Sequence, residues 1–187
     1  FEKITPEPRT YQKNIPKYVM VPNNAKKRHV ILEERLNTLR EHSNQSSLNR
    51  MEINSKEIGI ITSGISYQYV KEAYPAASIL KLGMVNPVPD KLIREFDGKV
   101  SSLLIVEELE PYIEEQVRNL GIDAKGKEYI PLCGELNAEI VKKSIYSFMG
   151  AEFPKKEETV KTSQLLMRPP TLCPGCPHLG TYFAMRK

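Results

Sequence analysis

The sequence predicts an α/β domain between residues 57 and 150, in which a parallel sheet is covered by helices on both faces. Four short apolar runs lie in this region, at residues 58–62, 78–84, 102–108 and 128–133. Most of them lack alternation of polar and apolar residues, as expected for strands buried on both faces. Each run is followed by apolar residues at helical spacing. Repeated strand–helix units imply parallel strands within three layers.

The four helices that follow these strands have predicted starts at Ser66, at Pro89 with Asp90, at Pro111 and at Asn137. Serine and asparagine side chains accept hydrogen bonds from the free N–H groups of a first helical turn, so Ser66 and Asn137 are expected N-caps. Proline is tolerated at the start of a helix, where its missing N–H is not needed. Gly121 is the expected end of the third helix.

Residues 1–56 are predicted to form a connector with one amphipathic helix. Prolines recur through the first 22 residues, which favours an extended chain because proline fixes φ and removes a backbone donor. The helix is expected to start at Asn24 and to carry the apolar stripe Leu32, Leu36 and Leu39. Small polar residues then break the pattern, so residues 44–57 are predicted to be a linker.

Residues 151–187 form the third predicted region. Its first part, residues 151–170, is a second polar connector. The motif CPGCPH follows and brings Cys173 and Cys176 within three positions of each other. These thiols are therefore expected to belong to the start of a new unit rather than to the α/β domain.

The composition is that of an ordinary globular chain, with 40% hydrophobic and 27% charged residues among 187. No apolar run is long enough to cross a bilayer, and residues 1–22 lack the features of a secretory signal, so no membrane association and a cytoplasmic location are expected. Three cysteines are too few for a disulfide framework. Because the first residue is Phe1 and a motif begins shortly before Lys187, we expect an internal piece of a longer polypeptide.

The net charge of +4 is unevenly distributed. Lys and Arg against Asp and Glu number 11 and 6 in residues 1–56 (+5), 10 and 14 in residues 57–150 (−4), and 6 and 3 in residues 151–187 (+3). The basic run KKRH at 26–29 could contact phosphates. No aromatic platform is interleaved with it, so a partner-facing or solvated surface is the preferred interpretation and no nucleic-acid partner is expected.

A Cys-x-x-Cys pair has three uses: half of a zinc site, a dithiol redox couple, or two ligands of an iron–sulfur cluster. The Pro-Gly between Cys173 and Cys176 favours a tight turn, which suits a chelating pair. The only further candidate ligands are His178 and the distant Cys133. The spacing leaves metal binding, redox chemistry and inert thiols open. Cys133 ends a predicted buried strand, so it is expected to be a packing residue.

Two other places resemble sites. Glu107, Glu108 and Glu110 lie at the carboxyl end of a predicted strand, where open α/β sheets hold ligands, so a general acid or base is conceivable. We favour a helix-terminal role, because carboxylates before a helix complement its dipole. The turn at 62–68 could present Ser66 and backbone N–H groups to an anion, but it has one glycine and no phosphate-binding pattern, so an ordinary capped turn is preferred.

Five segments carry a resemblance to a known family. They are YVMVPNNAKKRHVILEERL (18–36), IGIITSGISYQYVKEAYP (58–75), LKLGMVNPVPDKLIREF (80–96), VEELEPYIEEQVRNLGI (106–122) and RPPTLCPGCPH (168–178). In this order they resemble the α subunits of the thiamine-diphosphate-dependent 2-oxoacid:ferredoxin oxidoreductases, within the branch that acts on indolepyruvate. The resemblance implies that residues 57–150 form a domain like the C-terminal domain of transketolase, and that residues 151–187 are a linker and the start of the pyrophosphate-binding domain.

The resemblance also implies an activity for the whole enzyme. Such enzymes oxidatively decarboxylate an arylpyruvate to an aryl-acetyl-CoA, with ferredoxin as electron acceptor and with thiamine diphosphate, Mg²⁺ and iron–sulfur clusters as cofactors. A β subunit, ferredoxin, coenzyme A and the arylpyruvate are the implied partners. Cys173 and Cys176 become candidate ligands of a [4Fe–4S] cluster. The sequence contains no Gly-Asp-Gly motif for Mg²⁺ and pyrophosphate, so the chain itself is expected to be catalytically silent and to serve assembly. The alternative is a non-catalytic interaction module with a zinc-binding or dithiol tail.

Overall fold

The structure, a computed structural model, describes residues 7–8, 10–154 and 171–186. It divides into two compact units, Phe1–Phe153 and Pro154–Lys187. Most of the connector expected at 151–170 lies outside the described residues. Among the helices of the described ranges, none is both long enough and apolar enough to cross a membrane.

The first unit contains five strands and six helices within the described residues. The strands are β1 (Arg50–Glu52), β2 (Ile58–Ser63), β3 (Ser78–Leu82), β4 (Ser102–Val106) and β5 (Ala124–Lys125). The helices are α1 (Ile15–Tyr18), α2 (Pro22–Gln45), α3 (Ser66–Ala73), α4 (Asp90–Asp97), α5 (Tyr112–Asn119) and α6 (Ala138–Phe148). The second unit contains α7 (Pro177–Arg186).

The five strands form one sheet in the order β1-β3-β2-β4-β5. Strands β2 to β5 are parallel, and β1 is antiparallel to β3. The central strands are apolar on both faces, as the two neighbours Ile60 and Ile61 show. Both are fully buried, the first in a core cluster with α3 and α6 and the second in a cluster with α4 and α5. The predicted three-layer α/β fold is confirmed, with a mixed rather than wholly parallel sheet.

The expected linker at 44–57 contains strand β1, so the linker prediction is wrong for Arg50–Glu52. Met51 pairs with Leu80 across the antiparallel ladder and packs on the core. Asn49 fixes the entry of this strand. Its side-chain oxygen accepts hydrogen bonds from the backbone N–H groups of Gly83 (2.8 Å) and Met84 (3.0 Å), and its amide donates to the Ser43 carbonyl (2.7 Å).

The strand predicted at 128–133 is also wrong, because the fifth strand is Ala124–Lys125. The chain returns to the sheet as β5 soon after the end of α5 and then forms a turn. The backbone N–H groups of Tyr129 and Ile130 both donate to the Gly126 carbonyl at 2.9 Å. Cys133 lies beyond this turn and is exposed, so its expected role in core packing is wrong.

Helix starts are only partly as predicted. Asn137 caps α6 as expected, since its side-chain oxygen accepts from the Ile140 N–H at 2.9 Å. Ser66 is the first residue of α3 and does not cap it. Pro22 opens α2 two residues before the expected Asn24, because proline suits a first helical turn. The short helix α1 interrupts the chain that was expected to be extended.

Helix α2 is attached to the unit near its C-terminal end. The Asn44 side-chain oxygen accepts from the backbone N–H groups of Lys91 (3.0 Å) and Leu92 (3.2 Å), and its amide donates to Asp90 Oδ1 (2.8 Å). Asn44 therefore caps α4 from outside that helix. The expected apolar stripe packs only in part: Leu36 and Leu39 are half-buried, whereas Leu32 is exposed.

One buried polar atom in the sheet has no hydrogen-bond partner among the residues that the structure describes. Thr62 is fully buried, and its Oγ1 has no hydrogen-bond partner among the described residues. An unpaired buried hydroxyl costs roughly 1–3 kcal/mol, whereas an apolar group of the same shape does not.

We expect Thr62→Val to leave the free energy of unfolding unchanged or to raise it by about 1 kcal/mol, measured by urea denaturation. A decrease of more than about 1 kcal/mol would show that the hydroxyl is satisfied.

Candidate functional site

A cleft lies where the order of the strands reverses. The chain passes from β2 to β3 on one side and then returns to β4 on the other side of β2. In open α/β sheets, ligands bind outside the carboxyl ends of the strands at such a reversal. Here the cavity has a volume of about 200 Å³ and is lined mainly by residues 63–66, Val85, Glu107, Glu108 and Tyr112. Within this unit, we therefore expect a small ligand to bind in this cleft.

Glu107 is the one largely buried carboxylate of this cleft, with 6% of its surface exposed. Its Oε2 accepts from the Ile113 N–H at 2.8 Å and its Oε1 from the Glu114 N–H at 2.9 Å. Both carboxylate oxygens thus satisfy the free N–H groups at the start of α5. The helix-terminal role is confirmed for Glu107, and this carboxylate is not available as a general base. Glu108 and Glu110 are exposed.

Two influences act on the pKa of Glu107. Burial raises it, while the two backbone hydrogen bonds and the nearby Lys127 ammonium oppose the rise. The net effect is a pKa above the ordinary value of glutamate. Lys127 in turn donates from Nζ to the Glu107 carbonyl at 2.6 Å, and burial lowers the pKa of this lysine.

The raised pKa of Glu107 gives a pH prediction. A carboxyl with a higher pKa in the folded state binds its proton more tightly there, so its contribution to stability grows as the pH falls through that pKa. We expect the difference in free energy of unfolding between wild type and Glu107→Ala to increase as the pH falls from 7 toward 4.5, the ordinary pKa of glutamate. Urea denaturation at several pH values measures it, and a difference that shrinks on acidification would contradict the assignment.

The loop and turn around the cleft hold special backbone conformations. Leu109 has φ of 56°, a left-handed conformation that is uncommon for a bulky residue. It lies between Glu107, which directly follows β4, and helix α5, which Glu107 caps, so this anchoring fixes the loop. On the opposite wall, Gly64 has φ of 55° in the turn before α3. Ser66 is 2% exposed, lines the cleft and does not cap α3.

A second buried carboxylate was not predicted. Glu114 is 3% exposed; its Oε2 accepts from the Lys127 backbone N–H at 2.8 Å and its Oε1 contacts Arg118 Nη2 at 2.9 Å. The i,i+4 spacing of Glu114 and Arg118 on a helix predicts this ion pair. Lys127 had no comparable signal, because its contacts come from segments distant in sequence. Together these groups join α5 to the turn after β5 and leave no free acid–base pair.

The cysteine motif lies in the second unit and forms the expected tight turn. The Cys176 N–H donates to the Cys173 carbonyl at 3.0 Å, and Gly175 has φ of 77°, which glycine tolerates best. Both thiols are free; Cys173 is exposed and Cys176 half-buried. Cys176 Sγ lies 3.2 Å from Nδ1 of the exposed His178. Within the described ranges, no group of three or more metal-ligating side chains forms.

The basic run at 26–29 lies in the N-terminal half of α2. Lys26, Lys27 and His29 are exposed and Arg28 is half-buried. His29 Nε2 lies 3.6 Å from Glu33 Oε1, which is the ordinary i,i+4 pairing of a surface helix. This geometry agrees with the preference for a solvated or partner-facing surface.

Comparison with known proteins gives consistent results. No family model matches the chain. The indolepyruvate oxidoreductase subunit IorA of Pyrococcus horikoshii is 38% identical over 195 residues, which cover 95% of this chain and 30% of that protein. The IorA subunit of Archaeoglobus fulgidus is 35% identical over 90% of this chain and 29% of that protein.

A solved structure supports the fold. A chain of the 2-oxoglutarate:ferredoxin oxidoreductase from Magnetococcus marinus matches with a TM-score of 0.51 and 15% identity, over 68% of this chain and 24% of that chain. At this identity the likeness concerns the fold alone. The sequence relationship is stronger and extends over nearly the whole chain. The chain therefore belongs to the family of indolepyruvate oxidoreductase subunits IorA, and it spans about 30% of the length of these relatives.

Proposed function

We propose that the chain is an internal piece of a subunit that oxidatively decarboxylates arylpyruvates, such as indolepyruvate, to aryl-acetyl-CoA with ferredoxin as electron acceptor. The observation that supports this proposal is the 38% identity to an indolepyruvate oxidoreductase subunit over 95% of the chain. The whole enzyme then requires a β subunit, ferredoxin and coenzyme A. Thiamine diphosphate with Mg²⁺ supplies the carbanion chemistry of decarboxylation, and iron–sulfur clusters carry the electrons.

Within that enzyme, the α/β region at 57–150 acts as a scaffold of the transketolase C-terminal type. Glu107 in the cleft accepts from two backbone N–H groups, and the other buried carboxylate of this unit, Glu114, accepts from one backbone N–H and pairs with Arg118. A catalytic base needs a free, oriented partner, and all the recorded contacts of these two carboxylates are to backbone N–H groups and Arg118. The work of this region is therefore to hold its neighbours in place, and residues 151–187 lead into the pyrophosphate-binding domain.

Cys173 and Cys176 fit two positions of a cluster ligand set. The turn holds the two residues together through the Cys176 N–H, and neither thiol is in a disulfide. Cluster ligation needs further thiolates, and no group of three or more metal-ligating side chains forms among the described residues. We propose that the two cysteines ligate a [4Fe–4S] cluster whose other ligands lie in other parts of the enzyme.

The scaffold role is tested by turnover. The 187-residue chain is mixed with thiamine diphosphate, Mg²⁺, indolepyruvate, coenzyme A and oxidised ferredoxin, and ferredoxin reduction is followed by absorbance. The expected result is no turnover, while the complete enzyme that contains this segment reduces ferredoxin under the same conditions. Turnover by the chain alone would contradict the scaffold role, and a complete enzyme inactive on every arylpyruvate would contradict the proposed activity.

A second candidate function rests on one contact. The 3.2 Å distance between Cys176 Sγ and His178 Nδ1 joins a sulfur and an imidazole nitrogen, which are the donor types of zinc sites. A non-catalytic interaction module with a zinc-binding tail would show one zinc per chain in metal analysis, lost in Cys173→Ser. A dithiol tail would instead reduce insulin disulfides. Neither result is expected from the cluster assignment.

A further inference from the structure

Two cations lie over one aromatic ring at the edge of the sheet, and a third is joined to the hydroxyl of that ring through Glu52. Arg50 lies on the edge strand β1, Lys81 on the adjacent strand β3, and Lys71 on α3. The ring belongs to Tyr67, which is 6% exposed and lies in the first turn of α3. The Arg50 guanidinium carbon lies 5.2 Å and the Lys81 ammonium 5.6 Å from its centroid. This cluster is separate from both sites described above.

The strand register makes two of these charges direct neighbours. Arg50 and Lys81 are partners across the antiparallel β1–β3 pair, so their side chains lie on the same face of the sheet. Like charges directly opposite each other on an antiparallel pair destabilise a sheet. Fold stability alone therefore does not account for this pair, and a counter-charge is needed.

The protein supplies only part of that counter-charge. Glu52 contacts Arg50 Nε at 2.9 Å and Lys71 Nζ at 2.8 Å, and it accepts from the Tyr67 hydroxyl at 2.7 Å. These contacts lower the pKa of Glu52 and raise that of Lys71, so both are charged at neutral pH. Lys81 forms no ion pair within the part of the chain that the structure describes. Three cations against one carboxylate leave a local charge of 3 − 1 = +2.

We propose that Arg50, Lys71 and Lys81 bind the phosphate group of a small molecule. A phosphate carries nearly two negative charges at neutral pH, which matches the excess of the cluster, and its several oxygens suit donors that converge from three side chains. The three N–H groups of Lys81 make no hydrogen bond to another described residue, so they can donate to such a ligand without losing an internal hydrogen bond, while the ammonium stays beside the Tyr67 ring. A monocarboxylate would neutralise only half of the excess.

Inorganic phosphate is the probe for this site. The thermal midpoint of the 187-residue chain is measured in phosphate, acetate and chloride at equal pH and ionic strength. We expect saturating phosphate to raise the midpoint by about 5 °C over chloride, since a ligand that binds only the folded state stabilises it. Lys81→Met should abolish the rise. Lys99→Met is the matched control, because Lys99 pairs with Glu95 on α4, and it should keep the rise in full.

Two results would overturn the proposal. One is an equal rise in acetate, or no rise in phosphate beyond that in chloride. The other is an unchanged phosphate effect in Lys81→Met while circular dichroism shows the variant to be folded. If Lys81→Met does not fold, Lys71→Met replaces it. For that variant we expect the phosphate concentration at the midpoint of the titration to rise at least fivefold. None of these results depends on the catalytic activity of the complete enzyme.

Discussion

Replacement of Glu107 by alanine is expected to lower the free energy of unfolding by about 3 kcal/mol. The carboxylate accepts from the N–H groups of Ile113 and Glu114, and the change leaves both donors buried without a partner at the start of α5. Each unsatisfied buried donor costs roughly 1–3 kcal/mol. Urea denaturation followed by circular dichroism measures the loss.

Glu108→Ala is the control for this prediction. Glu108 is the next residue in the chain and has the same side chain, but it is exposed. A surface substitution of this kind changes the free energy of unfolding by no more than about 0.5 kcal/mol. Equal effects of the two substitutions would show that the carboxylate of Glu107 does not hold the helix, and the scaffold description of the cleft would then be wrong.

Gly83→Ala is expected to cost about 3 kcal/mol as well, for a steric reason. A Cβ on Gly83 would lie 2.5 Å from the carbonyl oxygen and 2.9 Å from the carbonyl carbon of Leu48. These are backbone atoms next to Asn49, whose side chain binds the Gly83 N–H, so the segment cannot move away without losing that hydrogen bond. The substitution therefore loosens the attachment of β1 and α2 to the sheet.

Gly98→Ala provides the matched control. Its added Cβ would have no atom closer than 3.6 Å, and its φ of −63° suits alanine. Alanine at such a position is neutral or stabilises by about 0.4–1 kcal/mol, because it restricts the unfolded chain. If Gly83→Ala were as well tolerated as Gly98→Ala, the close packing of Leu48 against Gly83 would be refuted.

The central part of the fold could be predicted because its signals are local. Ile58–Ser63, Ser78–Leu82 and Ser102–Val106 appear in the sequence as continuous apolar runs, since buried parallel strands need apolar residues on both faces. Asn137 could be assigned as a cap because the hydrogen bond that it makes is to a residue three positions away. Hydrophobic pattern and short-range capping therefore account for β2, β3, β4 and α6.

The edges of the sheet could not be predicted, because they depend on contacts between distant segments. Arg50–Glu52 is a short strand of mixed polarity, and its pairing with residues about 30 positions later is fixed by Asn49. The run at 128–133 looks like a strand, but the sheet edge is already occupied by Ala124–Lys125. An apolar run of this length has no period that separates a strand from a packed turn.

The candidate sites also differ in whether their signals are local in the sequence or depend on contacts between distant segments. The paired cysteines were found by spacing alone, and the tight turn expected from the intervening Pro-Gly is present. The capping role of Glu107 was also anticipated, from its position before a helix. In contrast, the juxtaposition of Arg50 with Lys81 follows from strand register, which no local pattern in the sequence contains.

The proposal that this chain contributes half of a cluster ligand set to a larger oxidoreductase is tested by the iron content of the enzyme. The complete enzyme is purified anaerobically with Cys173→Ser, and iron and acid-labile sulfide are counted per subunit. Cys133→Ser is the control, since Cys133 is an exposed free thiol outside the motif. We expect a loss of about four iron atoms for Cys173→Ser and none for Cys133→Ser. Unchanged iron in Cys173→Ser, in an enzyme that has assembled normally, would contradict it.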